Sequence, residues 1–180
     1  MRFTFRGYRD SDHAAVRDLF ININRELATP ALRDAFESYV AVSLRDEIDR
    51  LADYYAVRRG AFFVVYDDEK LAGVFGLERL GAPSGELRRM YVDGAYRRQG
   101  LARMMLDYAE QACRDAGTRV LTLSTSELQQ AALALYRGSG YRLLSEEIGA
   151  AQSNKTVGNI RRYHFEKDLG LSAAQKCHPC

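Results

Sequence analysis

Residues 92–103, which read Val-Asp-Gly-Ala-Tyr-Arg-Arg-Gln-Gly-Leu-Ala-Arg, constrain the fold of this chain more than any other segment. A predicted strand, Glu86–Val92, ends where the segment begins, and a predicted helix starts from Gly100. Backbone N–H groups in the first turn of a helix have no internal acceptor and lie at the positive end of the helix dipole. The segment therefore predicts an anion-binding site where a strand passes into a helix.

The side chains of this segment suit a diphosphate. Gly100 and Ala102 are small enough for a ligand to approach the backbone, and three arginines add positive charge: Arg97, Arg98 and Arg103. The segment is neither a P-loop, which needs Lys-Ser/Thr after its second glycine, nor a dinucleotide loop with G-x-G-x-x-G. An arginine-rich helix start on a solvated face is the alternative interpretation.

Three sequence motifs occur in the same order and at the same spacing as in a known family. Arg97, Gly100 and Ala102 match the acetyl-CoA signature Q/R-x-x-G-x-G/A, and Glu86–Val92 resembles the central strand that precedes it. Residues 132–141, Ala-Leu-Ala-Leu-Tyr-Arg-Gly-Ser-Gly-Tyr, resemble the motif A-x-x-L-Y-x-x-x-G-F/Y. The chain therefore resembles the GNAT superfamily of acetyl-CoA-dependent N-acyltransferases.

The resemblance extends over roughly residues 3–168 and agrees with the fold class that the hydrophobic patterns predict. The predicted order is strand, one or two helices, two strands, then strand–helix twice, and two final strands. This order predicts an α/β protein of the α+β type, with helices on the faces of a mixed sheet, rather than a doubly wound parallel sheet. We expect one domain over residues 1–168, with residues 30–58 as a helical addition on the acceptor side, as one bent helix or two. Residues 169–180 are expected to form a flexible tail.

The resemblance implies a V-shaped opening between the strand that ends at Val92 and the strand that ends near Ser124. Pantetheine contains two amides, so it can pair with unsatisfied strand backbone in this opening. The implied partners of pantetheine are the main-chain groups of Met90, Tyr91 and Val92. The implied diphosphate partners are the amides of Gln99, Gly100, Leu101, Ala102 and Arg103, with the side chains of Arg97 and Arg98. Acetyl-CoA is thus the expected co-substrate.

The implied reaction is acyl transfer to a primary amine in a ternary complex. The amine, with a pKa of about 10, must lose a proton before it attacks the thioester. The oxyanion that forms needs a donor, for which the backbone N–H of Val92 is suited. Tyr136, the motif tyrosine, is the expected proton donor to the departing thiolate. Its alternative is a core tyrosine, since Leu128, Ala132 and Leu135 share one apolar stripe with it.

The general base has more than one candidate. Glu86 lies on the predicted central strand, on the same face as Met90 and Val92 by two-residue alternation. Glu78, on the preceding strand, is the competing carboxylate, and in the family a water commonly carries the proton. A structural ion pair with one of the nearby arginines is an equally good interpretation of Glu86.

Gln129 occupies the position seven residues before the motif tyrosine, where many family members carry an asparagine that contacts the cofactor. The stretch from Ser126 to Gln129 also matches a helix capping box, and we favour that interpretation. We therefore predict that Gln129 caps the helix, and a contact with the cofactor is the alternative.

In the family, the first two helices and a loop between late strands usually enclose the amine site. Here these segments are residues 22–58 and 149–159. Three acidic residues of the first segment can hold a cation, or they can form a solvated helix face, which we favour: Glu37, Glu47 and Asp53.

Composition and charge restrict the partners. The 26 basic and 24 acidic residues leave a net charge of +2, which argues against nucleic acid as the main partner. No stretch reaches the roughly 20 apolar residues of a membrane span, and charges interrupt residues 1–10, where a signal peptide needs an apolar run. We expect a cytoplasmic protein that acts on a small-molecule amine, and the family makes a homodimer possible. The alternatives are protein or peptide acetylation and a non-catalytic acyl-CoA-binding module.

The three cysteines form neither a disulfide framework nor a complete zinc site. Cys113 lies among the apolar positions of a predicted helix and is expected in the core. Cys177, His178 and Cys180 supply three ligands at most, without the second pair that a structural zinc site needs. We therefore expect no metal.

Overall fold

A computed structural model describes residues 2–148 and 160–170 of the chain. Seven strands and five α-helices occur in these residues: β1 (Phe3–Gly7), α1 (His13–Leu27), α2 (Arg33–Asp46), α3 (Leu51–Val57), β2 (Ala61–Asp67), β3 (Lys70–Glu78), β4 (Ser84–Val92), α4 (Leu101–Asp115), β5 (Val120–Ser126), α5 (Gln130–Arg137), β6 (Arg142–Ile148) and β7 (Arg161–Asp168). Short 3-10 turns are also present: Asp10–Asp12, Pro30–Leu32, Ile48–Arg50 and Gly94–Tyr96.

The strands form one mixed sheet in the order β1-β2-β3-β4-β5-β7-β6. Among the described strands, β4 and β5 form the one parallel pair, and every other neighbouring pair is antiparallel. Helices pack on both faces of the sheet. These observations confirm the predicted α/β class with a mixed sheet.

Each face of the sheet has its own core. One core lies under α4 and α5, and the other lies under α1, α2 and α3. Helix α4 buries a single stripe, because its apolar residues recur every three or four positions: Leu101, Met105, Leu106, Ala109 and Cys113. Cys113 is therefore in the core, as predicted. The opposite core is rich in aromatic rings: Phe20, Phe36, Tyr39, Tyr54 and Tyr55.

Strands β4 and β5 separate before they end. Their parallel pairing stops at Leu87 and Leu123, although β4 continues to Val92 and β5 continues to Ser126. Beyond Leu87, the backbone of β4 therefore has no neighbouring strand on this side. The predicted V-shaped opening is confirmed.

A β-bulge in β4 changes which side chains face which core. Two residues of β4, Arg89 and Met90, lie opposite the single residue Phe75 of β3. Arg89 has a φ of +52°, a left-handed conformation that is unfavourable for a residue with a Cβ. Because of the extra residue, Arg88 and Arg89 both bind Glu47, the residue directly after α2, whereas Met90 and Val92 pack on the α4 side. The bulge thus brings two consecutive guanidinium groups to one face of the sheet.

The helical region predicted over residues 30–58 forms two helices rather than one bent helix. The 3-10 turn Ile48–Arg50 joins α2 to α3, so the chain changes direction there. Pro30 begins the 3-10 turn before α2, and Thr29 precedes it without a capping hydrogen bond from its side chain. Within the described residues, neither these helices nor any other helix is long and apolar enough to cross a membrane.

The packed part of the chain extends past residue 168. Leu169, which the prediction assigned to the tail, is 6% exposed, and its N–H donates to the carbonyl oxygen of Arg119 at 2.8 Å. The predicted acceptor loop, residues 149–159, and the pair Cys177 and Cys180 lie outside the described residues.

Candidate active site

A cleft of about 620 Å³ opens where β4 and β5 separate. Strands β4, β5 and β7 and helix α5 all contribute to its walls. A second cavity of about 390 Å³ extends between α1 and α2 and shares four residues with the cleft: Tyr39, Tyr91, Gln129 and Arg162. Concave sites of this size typically bind small molecules.

The edge of β4 presents backbone groups to the cleft. The N–H of Asp93 donates to the carbonyl oxygen of Ala72 in β3 at 2.9 Å. Successive strand residues direct their N–H groups to opposite edges, so the N–H of Val92 points away from β3 and toward the cleft. The carbonyl oxygen of Val92 points the same way and accepts a long bond from Arg97 Nε at 3.4 Å. An extended ligand with amides finds both a donor and an acceptor at this edge.

The start of α4 presents N–H groups without acceptors. Gly100 is the N-cap residue with a φ of +80°, a conformation that glycine adopts without steric penalty. No atom lies within 4 Å of the position that a Cβ at Gly100 would occupy. Within the described ranges, the N–H groups of Leu101 and Ala102 have no acceptor. The buried side chain of Leu101 anchors this turn, which is open to an anion.

The polar side chains around this helix start are exposed. Arg97 forms an ion pair with Glu26 at 2.7 Å, and Arg98 has a φ of +60°. Gln99 donates to a backbone carbonyl of the preceding turn at 2.8 Å. Arg103 donates to a serine hydroxyl just after α5 at 2.5 Å. All three predicted arginines are thus exposed around the start of α4. Ion pairs at exposed sites contribute little to stability.

Tyr136 lies on the buried side of α5 and lines the cleft. Its ring packs against Tyr141 and Phe165. Within the described residues, its hydroxyl has no hydrogen-bond partner. Burial, with a smaller contribution from Tyr91, raises the pKa of this phenol well above its usual value, so the phenol stays protonated at neutral pH. The side chain is both a core residue and part of the cleft wall.

The two candidate bases have different surroundings. Glu86 is half-buried and lines the cleft. Glu78 is buried, and its Oε1 accepts from Arg88 at 2.7 Å and from the Tyr54 hydroxyl at 3.0 Å. Glu78 is thus part of a buried ion pair.

Glu86 does not share a face with Met90 and Val92, so the prediction from two-residue alternation is wrong on this point. Leu87 packs in the core under α4, and its neighbour Glu86 faces the opposite side of the sheet. Met90 and Val92 pack on the α4 side because the bulge at Arg89 adds one residue between them and Glu86.

Gln129 combines a capping contact with a place in the cleft. It is the N-cap residue of α5, and its Oε1 accepts from the Thr125 hydroxyl at 3.0 Å and from the Ser126 N–H at 3.4 Å. The second contact is one half of the predicted capping box. The helix itself begins at Gln130, so the predicted helix start near Ser126 is wrong.

A buried ionic network supports the β4 wall of the cleft. Glu47 is fully buried, binds Arg89 through both oxygens at 3.1 and 2.7 Å, and binds Arg88 at 2.8 Å. Burial raises the pKa of Glu47, but the charges and hydrogen bonds of Arg89 and Arg88 outweigh burial and hold that pKa below its usual value. The solvated-face prediction is therefore wrong for Glu47, whereas Glu37 and Asp53 are exposed as expected.

Arg162 of β7 lines both cavities. No motif in the sequence predicted it as a site residue. Its Nη2 donates to Ser124 Oγ at 2.6 Å. Burial lowers the pKa of the guanidinium below its usual value, although Tyr39 and Tyr91 favour the charged form. The pair Arg161 and Arg162 in a strand was a signal for a charged residue on each face of the sheet, because consecutive strand residues face opposite sides.

Residues 26–141 match the profile of the Acetyltransferase (GNAT) family, which is well over half of the chain. The chain belongs to this family. The GNAT chain is 32% identical over 112 residues to N-acetyltransferase 8F1 of Rattus norvegicus, a match that covers 59% of the chain and 51% of the relative. It is 30% identical over 110 residues to N-acetyltransferase 8 of Homo sapiens, covering 58% and 48%. The chain thus spans about half the length of these curated relatives.

Solved structures share the fold of this GNAT chain. An acetyltransferase of the GNAT family from Staphylococcus aureus superposes with a TM-score of 0.72 at 19% identity, covering 93% of this chain and 99% of the other. The structure of yncA from Salmonella typhimurium with its cofactor acetyl-CoA gives 0.69 at 17%, covering 99% and 100%. A spermidine N-acetyltransferase chimera from Vibrio cholerae gives 0.68 at 16%, covering 94% and 96%. At these identities the matches establish the fold.

Proposed function

We propose that this GNAT chain transfers the acetyl group of acetyl-CoA to the primary amine of a small molecule, by direct attack of the amine in a ternary complex. The observation that carries the proposal is the edge of β4 beyond Leu87. This edge lacks a neighbouring strand, lines the same cleft as Tyr136, and continues through Val92 toward the start of α4. Amide-pairing groups, an anion site and a proton donor therefore occur along one opening of the sheet.

Acetyl-CoA supplies an acetyl group that is activated as a thioester. We assign its pantetheine to the main chain of Met90, Tyr91 and Val92, because Val92 directs an N–H and a carbonyl to the cleft. We assign its diphosphate to the start of α4, where the N–H groups of Leu101 and Ala102 have no acceptor in the described residues. The proposed site also includes the amides of Gln99, Gly100 and Arg103 and the side chains of Arg97 and Arg98. Gln129 lines the cleft and is assigned a contact to the same ligand. The acetyl-CoA bound to yncA, which has this fold, supports the assignment.

Different groups of the cleft are assigned to the proton transfers and to the stabilisation of charge in this reaction. As the neutral amine attacks, a new N–C bond replaces the C–S bond, and negative charge develops on the carbonyl oxygen. The N–H of Val92 is the proposed donor to that oxygen. Tyr136, which is protonated at neutral pH, gives a proton to the departing thiolate and regains one from solvent before the next turnover. The proton that the amine loses passes to the base.

We assign the role of base to Glu86, acting directly or through a water. Glu86 lines the cleft, whereas Glu78 is engaged by Arg88 and Tyr54 in the buried network. A carboxylate held by a guanidinium at 2.7 Å is a poor proton acceptor, because protonation would leave the arginine charge uncompensated.

The acceptor end of the cleft supports a small molecule. The cavity between α1 and α2 is lined by side chains such as Asn24, Leu27 and Phe36, and concave sites of this kind typically bind small molecules. The name of the spermidine N-acetyltransferase chimera shows that this fold accommodates such an acceptor. The homodimer and the cytoplasmic location stay predictions.

The first test is thiol release from acetyl-CoA with a panel of amines, amino acids and peptides. We expect Tyr136→Phe to lower kcat about 100-fold or more for the accepted amine, because the thiolate loses its proton donor. Tyr108→Phe is the matched control, since Tyr108 packs on Phe5 and Phe63 away from the cleft. Calorimetry with acetyl-CoA should give the same Kd for both variants and the wild type.

The outcomes of this test separate the alternatives. Turnover of peptides alone would indicate that the acceptor is a protein or peptide. Binding of acetyl-CoA without any turnover would support a non-catalytic module. Absence of acetyl-CoA binding would overturn the proposed function.

A second comparison tests the base. We expect Glu86→Gln to reduce kcat about 100-fold without loss of stability, because the variant keeps the shape of the side chain but cannot accept a proton. Glu78→Gln should instead lower the free energy of unfolding, because Arg88 loses one of its two carboxylates, and leave kcat of the folded protein unchanged. The reverse pattern in steady-state kinetics and urea denaturation would reassign the base to Glu78.

A further inference from the structure

We infer that Arg162 binds a carboxylate of the acceptor, so that the acceptor is an amine that also carries a carboxylate, as an amino acid does. The inference rests on the proposed function and names the class of its acceptor. It depends on the position of Arg162, on its partners within the described residues and on the face of the sheet that it occupies.

Arg162 lies where the two cavities meet. It lines the cleft beside β4, and it also lines the cavity between α1 and α2 together with Asn24 and Tyr39. Tyr91 and Gln129 are shared by both cavities in the same way. A ligand that occupies both cavities therefore has Arg162 in its wall.

Within the described part of the chain, no carboxylate lies at ion-pair distance from the Arg162 guanidinium, and Glu147 favours its charged form only by weaker attraction at longer range. Its guanidinium donates a hydrogen bond to the neutral hydroxyl of Ser124, at 2.6 Å. Glu147, its cross-strand neighbour in β6, is instead bound by His164 at 2.9 Å. A guanidinium has five N–H donors, so donors remain for a ligand.

A carboxylate is the ligand group that best matches these donors. Its two oxygens can accept two parallel bonds from a guanidinium, and a partly buried cation gains most when an anion neutralises it. An amine without an anionic group would leave the guanidinium charge uncompensated, and a polyamine would be repelled by it. The same argument favours an acceptor with one negative group near its amine.

Arg162 lies on the opposite face of the sheet from Tyr136 and from the start of α4. Its sequence neighbour Tyr163 and the next odd-numbered residue, Phe165, pack in the core with Tyr136, under α4 and α5. Arg162 faces the opposite side, toward α1 and α2. We therefore expect the affinity for acetyl-CoA to be independent of Arg162.

The experiment compares acids with matched amines that lack the charge. Thiol release from acetyl-CoA is measured with the common α-amino acids, with β-alanine and γ-aminobutyrate, and with the corresponding amides and decarboxylated amines. The proteins are the wild type, Arg162→Met, Arg162→Lys and the control Arg161→Met, whose guanidinium binds Glu146 at an exposed site. Calorimetry gives the Kd of acetyl-CoA for each protein.

We expect the wild type to prefer an acid over its amide by about 10- to 100-fold in kcat/KM, the range of a hydrogen bond to a charged group. Arg162→Met should lose this preference, Arg162→Lys should keep part of it, and Arg161→Met should keep all of it. The Kd of acetyl-CoA should be the same for all four proteins.

Three results would overturn the inference while leaving the proposed function intact. They are equal turnover of acids and amides, turnover of uncharged amines alone, and a weaker Kd of acetyl-CoA in Arg162→Met, which would assign the arginine to the co-substrate. Failure of the wild type to bind acetyl-CoA would remove the proposed function and this inference together.

Discussion

Arg89 and Arg162 line the same cleft, yet their charges are compensated in different ways. Arg89 on β4 is bound through two nitrogens by Glu47 and donates to the Tyr39 hydroxyl at 2.5 Å. Burial alone would lower the pKa of Arg89, but Tyr39 and Glu47 outweigh it and raise this pKa well above its usual value. Arg162 on β7 has the hydroxyl of Ser124 instead, and burial lowers its pKa.

The difference separates a charge that holds the fold from a charge that is available to a ligand. The Arg89–Glu47 pair ties α2 to β4 at the bulge and so maintains the shape of the cleft wall. Arg162 ties no helix to the sheet within the described residues, and its bond to Ser124 joins two adjacent strands. Charged groups with a perturbed pKa in a cleft are concentrated at functional sites.

The largest expected effect comes from removing the shared carboxylate. Glu47→Gln leaves Arg88 and Arg89 buried without their anion, so we expect the free energy of unfolding to fall by about 3 to 5 kcal/mol. Glu37→Gln is the matched control, because the exposed pair of Glu37 with Arg25 should contribute less than about 1 kcal/mol. Equal losses for the two variants in urea denaturation would contradict the distinction between buried and exposed pairs.

Acid should weaken the same network by protonation. The pKa of Glu47 is held below 4.5, the ordinary value of a glutamate, so in acid the unfolded state binds protons more readily than the folded state. The contribution of Glu47 to stability is therefore present above pH 4.5 and is lost as the pH falls through the lowered pKa. Urea midpoints between pH 7 and pH 3 should fall more steeply for the wild type than for Glu47→Gln. Parallel curves would show that this carboxylate is not the one that titrates.

The smallest expected change in the free energy of unfolding concerns Arg162. Arg162→Met removes a cation that has no carboxylate at ion-pair distance among the described residues, so we expect the free energy of unfolding to stay unchanged or to rise by about 1 kcal/mol. Arg89→Met should lower it by about 3 kcal/mol, because Glu47 then loses its two-nitrogen partner. Thermal or urea denaturation of the two variants gives the comparison directly. A large loss of stability in Arg162→Met would mean that Arg162 is also a structural residue.

Local patterns in the sequence were sufficient for the fold class and for the start of α4. Alternating apolar residues predicted the strands, and the spacing of apolar residues predicted α4 and its buried Cys113. Gly100 was expected at the start of a helix, and it is the N-cap residue with a φ that suits glycine. These features depend on residues within a few positions of one another, so they can be read without the tertiary structure.

The environment of the charged residues was decided by the tertiary structure. Glu47 was expected in solvent, but the sheet brings it to Arg89, 42 residues away, and burial then makes it the centre of a network. The bulge opposite Phe75 moved Met90 and Val92 away from the face of Glu86. Alternation cannot reveal such a shift, because the extra residue is defined only against the partner strand.

Arg162 illustrates the same limit at the candidate site. Two consecutive arginines in a strand predict that one faces each way, but they do not indicate which of them faces a cavity or which is bound by a carboxylate. Those properties depend on Ser124, 38 residues away, and on the packing of α1 and α2 against the sheet. Local periodicity reports neighbours along the chain, whereas the energy of a buried charge depends on its neighbours in space.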